Sequence, residues 1–181
     1  MSTRVTGGYL KGYPIKTVPG TLARPTTGKI REAIFSILQY EIPDAEVLDL
    51  FAGSGALAIE AVSRGAAGAV LVEKNRRAVA VIRENLEKCH LDLRIIAAGY
   101  VTGLEVLAAE GKKFDLIFAD PPYGMISPSK LYELVGKYSL VKPGGYLIME
   151  HAGNVTPEGE GVVRTRRYGD SAITIYSYGQ T

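Results

Sequence analysis

The sequence predicts an α/β protein with a Rossmann-like fold: a mostly parallel seven-stranded sheet, an antiparallel C-terminal hairpin and a short N-terminal β-arm. Three observations predict it. Five short apolar runs alternate with helical stretches between Glu46 and Glu150, and strands followed by helices imply parallel βαβ units with helices on both faces of a sheet. The last two apolar runs, Val162–Tyr168 and Ala172–Ser177, are separated only by Gly169-Asp170-Ser171, a hairpin connection. The first 20 residues are rich in Gly, Tyr and Pro and stand apart from that alternation.

In chain order, Tyr9-Leu10-Lys11 and Tyr13-Pro14-Ile15 read as pieces of a β-hairpin or ordered arm over residues 1–22, with the main domain over 23–181. Thr26-Thr27 caps a helix from about Lys29 to Tyr40, with Ala33, Ile34, Ile37 and Leu38 as its apolar stripe. Pro43 and Asp44 end that unit. Strands follow at Glu46–Leu50, Ala69–Glu73, Leu93–Ala97, Phe114–Ala119 and Tyr146–Glu150. Helices lie between them at Ala56–Arg64, Arg76–Cys89, Thr102–Glu110 and Ser129–Tyr138. No repeat, low-complexity segment or second-domain linker interrupts the series.

The chain has 181 residues, 46% hydrophobic and 22% charged, the balance of one soluble domain. No apolar run reaches the roughly 20 residues that span a bilayer, and Met1–Gly20 lacks the apolar core of a signal peptide. The single cysteine, Cys89, excludes an internal disulfide and suits a reducing cytosol. With His90 it makes too small a set for zinc, so a packed side chain and no metal are expected. The net charge of +2 is uneven. Six cations and no acid occupy the first 31 residues, +6 against −4 for the other 150, and a concentrated positive field attracts polyanions through their phosphates.

In a doubly wound sheet, ligands sit beyond the carboxyl ends of the strands. The first strand runs into Asp49-Leu50-Phe51-Ala52-Gly53-Ser54-Gly55. Its glycines allow a tight turn and close approach to a ligand, and a helix N-terminus there favours an anionic group. With Ala58 the loop satisfies G-x-G-x-x-A, and Glu73 ends the second strand 20 residues after Gly53, where an acid binds ribose hydroxyls. Asp49 chooses between cofactors. A carboxylate beside the loop faces a pyrophosphate badly but suits the ammonium of a methionine moiety; together with the resemblance of Asp49–Gly55 to the first motif of class I methyltransferases, this makes S-adenosyl-L-methionine the expected cofactor, held by Asp49, Phe51, Gly53, Ser54, Gly55, Glu73 and Lys74.

The chemistry is expected at Asp120-Pro121-Pro122-Tyr123, directly after the buried Phe114–Ala119 strand. Two prolines stiffen the turn and leave its carbonyls available. Asp120 and the Pro121 carbonyl can each accept one N–H of an amino group on a flat base, turning the nitrogen lone pair towards a methyl sulfonium. Tyr123 can stack on a base taken out of its helix. No general base is essential, because the extra proton can be shed to Asp120 or water after transfer; positioning and electrostatics dominate. The candidate catalytic residues are therefore Asp120, Pro121 and Tyr123.

The glycine loop resembles the first motif of class I methyltransferases, and Asp120–Tyr123 the fourth motif of enzymes that methylate amino groups of adenine, cytosine or guanine. Gly7-Gly8, Lys11-Gly12 and the string Ala23-Arg24-Pro25-Thr26-Thr27-Gly28-Lys29-Ile30-Arg31-Glu32-Ala33-Ile34-Phe35 resemble the opening of the RsmD family. The likeness continues through Asp49–Leu57, Glu73, Asp120–Tyr123 and Arg167-Tyr168-Gly169-Asp170-Ser171. It implies transfer of a methyl group to guanine N2 in 16S rRNA, on a small-subunit assembly particle, by a cytoplasmic monomer. It also implies that the N-terminal arm and first helix hold RNA, with Lys11, Lys16, Arg24, Lys29 and Arg31 as phosphate contacts; for Arg31 a structural ion pair is an equal alternative. The chain departs from such enzymes at Ala97-Ala98-Gly99-Tyr100, where an Asp that contacts adenine is common. Arg166-Arg167 either extends the RNA surface or guards a strand edge. His151 is read as a packing or hydrogen-bonding residue ahead of a base. Two other functions fit part of the pattern. A DNA adenine-N6 methyltransferase shares Asp120–Tyr123 but needs a target-recognition region for which 181 residues leave no room, and a nicotinamide-dependent oxidoreductase leaves that turn unexplained.

Overall fold

The expected alternation folds as one sheet. The computed structural model describes residues 2–20 and 27–179. In chain order its elements are β1 (Ser2–Arg4), β2 (Pro14–Lys16), α1 (Gly28–Ile37), β3 (Glu46–Asp49), α2 (Ala56–Ser63), β4 (Gly68–Val72), α3 (Arg76–Lys88), β5 (Arg94–Ile96), α4 (Tyr100–Ala109), β6 (Phe114–Ala119), α5 (Pro128–Lys137), β7 (Val141–Ala152), β8 (Val162–Tyr168) and β9 (Ser171–Ser177). Strands β3 to β9 form a seven-stranded sheet in the order β5-β4-β3-β6-β7-β9-β8, parallel except for β9, which runs against both of its neighbours. This is the predicted α/β architecture.

Alternation along each strand sends successive side chains to opposite faces. Val47, Leu71, Phe118 and Ile148 pack on one face with Phe35 of α1, Ile59 of α2 and Ile82 of α3. Leu48, Val72, Ile117 and Met149 pack on the other with Leu104 of α4 and Leu131 of α5. Strand β8 differs: its ends, Val162 and Tyr168, pack on the two cores, but from Val163 to Arg167 every side chain is exposed.

Several boundaries depart from the expectation for identifiable reasons. The N-terminal hairpin is built from Ser2–Arg4 and Pro14–Lys16, while Tyr9–Lys11 forms its turn. Strands this short are specified by what they pack on, and here Val5, Leu10 and Ile15 enter the core beside α1 and α2. In α1 the buried residues are Ile30, Arg31, Ile34 and Phe35, followed by Leu38; Ile34 and Leu38 of the expected stripe are buried, while Ala33 and Ile37 are half-buried. Its cap is Thr27, which accepts from the Ile30 amide at 3.3 Å. Helix α4 starts two residues early and keeps Gly103 inside it, because a Cβ there would stand 2.7 Å from Val72 Cγ1. Strand β7 starts at Val141 and not at Tyr146; Gly145 lets it pass Asp115, whose carbonyl oxygen would lie 2.7 Å from an added Cβ. Cys89 is buried and unpaired. Among the described residues no group of His, Cys, Asp and Glu could hold a metal ion, and no helix is long and apolar enough to cross a membrane.

One buried acid ties the N-terminal hairpin to the domain. Glu60 of α2 is fully buried and accepts the Thr6 amide through both oxygens at 3.0 Å. It also accepts the Thr6 hydroxyl and the Nε and Nη2 of Arg64, and it faces Arg31 Nε at 3.5 Å. Arg31 is itself buried, and its Nη2 donates to the Arg4 carbonyl at 2.6 Å and to Thr3 Oγ1 at 3.1 Å. The hairpin backbone then lies against the end of α2, where a Cβ on Gly8 would overlap the Ser63 carbonyl.

Breaking a buried ion pair by removing one partner leaves a charge uncompensated, at a cost of about 3–5 kcal/mol. Glu60→Gln should therefore lower unfolding stability by about that amount in a denaturant titration. A loss below about 1 kcal/mol, the size of a surface pair, would contradict this role for Glu60.

Candidate functional site

The order of strands reverses around β3, which has β4 on one side and β6 on the other. Successive crossovers leave a crevice at such a reversal, beyond the carboxyl ends of the strands. The sequence-predicted cofactor and catalytic residues meet there. Asp49 ends β3, Glu73 follows β4 and Asp120 follows β6.

The loop after β3 is held in one shape. Gly53 and Gly55 adopt φ of 56° and 82°, the left-handed region that side chains disfavour. Around Gly53 an added Cβ would meet nothing within 4 Å, so its backbone faces open space. Glu73 Oε2 accepts the Gly53 amide at 2.8 Å, and its Oε1 accepts the Asn75 amide at 2.8 Å. The strand-end acid thus fixes the glycine loop as well as standing where ribose hydroxyls are expected. Helix α2 starts from Gly55 with no side-chain cap, leaving first-turn amides available to an anion. Phe51 is half-buried and packs on Tyr100, ring centroids 5.0 Å apart. Tyr100 opens α4 behind Gly99, where the adenine-contacting Asp is missing. Ser54 is half-buried; Lys74 is exposed and forms no ion pair with a described residue.

Asp49 is the electrostatic anomaly. It is completely buried, and neither carboxylate oxygen has a hydrogen-bond partner. Burial is the largest cause raising its pKa from 3.8 to about 7; the nearby Phe51 amide opposes this without closing a hydrogen bond, and the Glu73 charge adds to it. A buried unpaired carboxylate is costly unless something cationic answers it. The donor set therefore fits a ligand with an ammonium near Asp49, a carboxylate near the α2 N-terminus and hydroxyls near Glu73.

On the other side of β3, Leu50 donates its amide to the Phe118 carbonyl at 3.0 Å, tying the loop to the strand that carries the turn. Within Asp120–Tyr123, Asp120 is half-buried, Pro121 buried and Pro122 exposed. The Pro122 carbonyl accepts the Met125 amide at 3.1 Å and closes the turn, whereas the Pro121 carbonyl accepts no backbone amide among the described residues. The Tyr123 side chain is 47% exposed, yet its hydroxyl shares a 2.6 Å hydrogen bond with Ser171 Oγ on β9. This anchors the ring edge and leaves about half of the side chain open. His151 is buried. Its Nδ1 faces the Ala152 carbonyl at 2.9 Å, which requires the proton on Nδ1, so Nε2 accepts from Thr174 Oγ1 at 2.8 Å. Burial lowers its pKa, and it acts as a hydrogen-bonded packing residue.

The five basic residues expected to hold RNA separate. Arg24 lies outside the described residues. Arg31 is corrected: buried on the inward face of α1 and engaged with Glu60 and Arg4, it is sealed from any phosphate. Lys29 is exposed in the first turn of α1, which points to the ligand end because α1 finishes beside the start of β3. Lys16 is tied to the site by Asn85, a buried side chain that accepts the Lys16 amide and donates to both the Lys16 and Ser54 carbonyls, each at 2.9 Å. Its ammonium also pairs with Glu84 at 2.8 Å. Lys11 is exposed in the hairpin turn, whose Tyr9 amide bonds the Ser63 carbonyl. That is the far end of α2, about 12 Å down the helix from the glycine loop.

Asn85, Glu60, Tyr100 and Ser171 were missed from sequence. The first two carried a signal, as single polar residues within apolar helical stripes. Ser171 had none beyond its place in the Arg167–Ser171 string, being 48 residues from Tyr123.

Residues 3–177 match the model of a family described as conserved hypothetical protein 95. YlbH of Bacillus subtilis is 38% identical over 181 residues, covering 96% of this chain and 97% of the relative. Ribosomal RNA small subunit methyltransferase D of Buchnera aphidicola (from Acyrthosiphon pisum) is 34% identical over 149 residues, 81% of this chain and 76% of that one. The solved structure of a hypothetical protein from Thermus thermophilus superposes with a TM-score of 0.86 at 34% identity, covering 97% of this chain and 99% of the other. The chain belongs to the RsmD family of methyltransferases.

Proposed function

We propose that this protein uses S-adenosyl-L-methionine to methylate the exocyclic N2 amino group of a guanine in 16S rRNA, as a cytoplasmic monomer acting on a small-subunit assembly particle. One observation carries the reading: the Asp120–Tyr123 turn ends the strand next to β3, whose buried, unpartnered Asp49 calls for a cation. The relative named ribosomal RNA small subunit methyltransferase D supports the substrate.

When bound, the cofactor supplies an electrophilic methyl group. Asp49 would answer its ammonium, the first-turn amides of α2 its carboxylate, and Glu73 its ribose hydroxyls. Phe51, Ser54 and Lys74 border that position. The Asp120 carboxylate and the Pro121 carbonyl accept the two N–H bonds of the base and aim its lone pair. Tyr123, fixed through Ser171, offers its ring for stacking. Once nitrogen carries the new methyl, its surplus proton leaves to Asp120 or water. Lys16 and Lys29, with Arg24 from outside the described residues and Lys11 further down the arm, contact phosphates. The same Asp49 argues against a dinucleotide, since a buried carboxylate repels a pyrophosphate.

Asp49 also sets a pH dependence. Between its ordinary value and about 7 the native protein holds a proton that the unfolded chain has released, so stability of the free protein falls as pH rises through that window. An ammonium beside Asp49 favours the carboxylate. Affinity for S-adenosylhomocysteine, which keeps that ammonium, should rise by up to about tenfold per pH unit towards pH 7 and then level off. In calorimetric titrations Asp49→Asn should bind more weakly with a flat profile; a variant that keeps the wild-type slope would contradict the assignment. The substrate is tested by mass mapping of nucleosides after methyl transfer to RNA from a strain lacking the enzyme. N2-methylguanosine in the small-subunit RNA is expected, and N6-methyladenosine or unlabelled RNA would overturn the proposal.

A further inference from the structure

The outer edge of the sheet carries a second basic surface that the functional residues above do not include. Strand β8 is the last strand beyond β9, and Arg164, Arg166 and Arg167 on it are all exposed. Directly paired residues of antiparallel strands share a face. Arg164 pairs with Ile175 and Arg166 with Ile173, so both arginines stand on the face whose core contains Ile173, Ile175 and Phe35. Ser171, two residues from Ile173 along β9, has the same facing and holds the Tyr123 hydroxyl. Neither Arg164 nor Arg166 forms an ion pair with a described residue. Arg167 faces the other way and donates to the Gly169 carbonyl at 3.1 Å within the turn.

Of the nearby acids, Glu150 pairs with Ile173 and so shares the face of Arg164 and Arg166, but it is buried; the two acids that precede β8 are turned away. The segment before β8 passes along α5, where Ser129 Oγ accepts the Glu158 amide at 3.1 Å and donates to its carbonyl at 2.8 Å. A Cβ on Gly161 would collide with the Tyr132 ring of the same helix. Glu158 and Glu160 thus follow the α5 side of the sheet, opposite the face of Arg164 and Arg166.

Position gives the surface a use. The Gly169-Asp170 turn lies at the carboxyl end of β7, where Ala152 pairs with Ser171, at the same end of the sheet as Asp120–Tyr123. Strand β8 is three strand spacings from β6, about 14 Å. Lys16 and Lys29 are on the same face but towards the cofactor loop. The basic residues therefore bracket Tyr123 from two sides.

We propose that Arg164 and Arg166 form a second phosphate-contact surface, which holds the RNA backbone on the far side of the target base from the N-terminal arm. This rests on the proposed RNA substrate. Two contact points on opposite sides of a flipped base resist rotation of the strand about either one, which aims the base into a fixed turn. The partner is the single-stranded RNA flanking the target, and duplex or protein partners are not required.

The test is steady-state methylation of small-subunit RNA over a salt series, comparing wild type, Arg164→Gln/Arg166→Gln and Lys16→Gln/Lys29→Gln. The arginine variant should raise KM for RNA on the order of tenfold and flatten the slope of log affinity against log salt by about 1.4, two single-strand contacts. Its thermal midpoint and its affinity for S-adenosylhomocysteine should match wild type, separating lost contacts from lost folding. An arginine variant with wild-type KM and slope, beside a lysine variant that changes both, would overturn the proposal and leave the arm as the RNA surface. Wild-type KM together with self-association seen by light scattering would overturn it too, and would assign the arginines to guarding the strand edge. Should wild type itself fail to methylate RNA, the functional reading falls first, an outcome distinct from either of these. If the double variant is unstable, single Arg164→Gln and Arg166→Gln variants carry the same comparison, each with about half the slope change.

Discussion

The candidate site depends on the reversal of strand order at β3. Chain connections run outward from β3 to β4 and β5, then cross back to place β6 on its other flank. No helix can cover the point where the crossovers part, so a crevice stays open over the carboxyl ends of three neighbouring strands. Each end contributes something different: an unpartnered carboxylate from β3, a loop-fixing carboxylate from β4 and a proline-stiffened turn from β6. The parallel register linking Asp49 to both Leu71 and Phe118 sets their relative heights. A ligand in the crevice is therefore met by groups whose spacing is decided by backbone hydrogen bonds and not by flexible side chains.

Two buried acids in this chain show opposite ways of keeping a charge out of water. Glu60 is saturated by an amide, a hydroxyl and two arginines, and its role is complete within the fold. Asp49 has no such company, and burial raises its pKa to about 7. An unsatisfied charge of this kind is a cost to the free protein that a cationic ligand can offset. The two acids thus differ in their partners and not in their burial, which is nearly the same for both.

Much of this was legible in the sequence, for physical reasons. Phe114–Ala119 could be bounded to the residue because its apolar run is closed by two prolines that cannot continue a ladder. The glycine loop and the distance to Glu73 follow from backbone needs that few other residues meet. The hairpin strands were misplaced because three-residue strands carry almost no local signal and take their position from Glu60, Ser63 and Asn85 across the core. In the sequence, Arg31 stays open between a phosphate contact and a structural ion pair for a related reason. A cation in a basic segment looks solvated until its partner is known, and that partner is an acid within the otherwise apolar helix Ala56–Ser63. The Tyr123–Ser171 bond joins segments that only the folded sheet brings together.

The proposed methyl transfer requires Asp120 to position the amino group at the open crevice. That role is tested by single-turnover methyl transfer with cofactor and RNA both saturating, comparing wild type with Asp120→Ala. Removing one preorganised acceptor should slow the transfer step by about 10²–10³-fold, with S-adenosylhomocysteine affinity unchanged because Asp49 and Glu73 are intact. A transfer rate equal to wild type under those conditions would contradict the claim and move the chemistry away from the β6 turn.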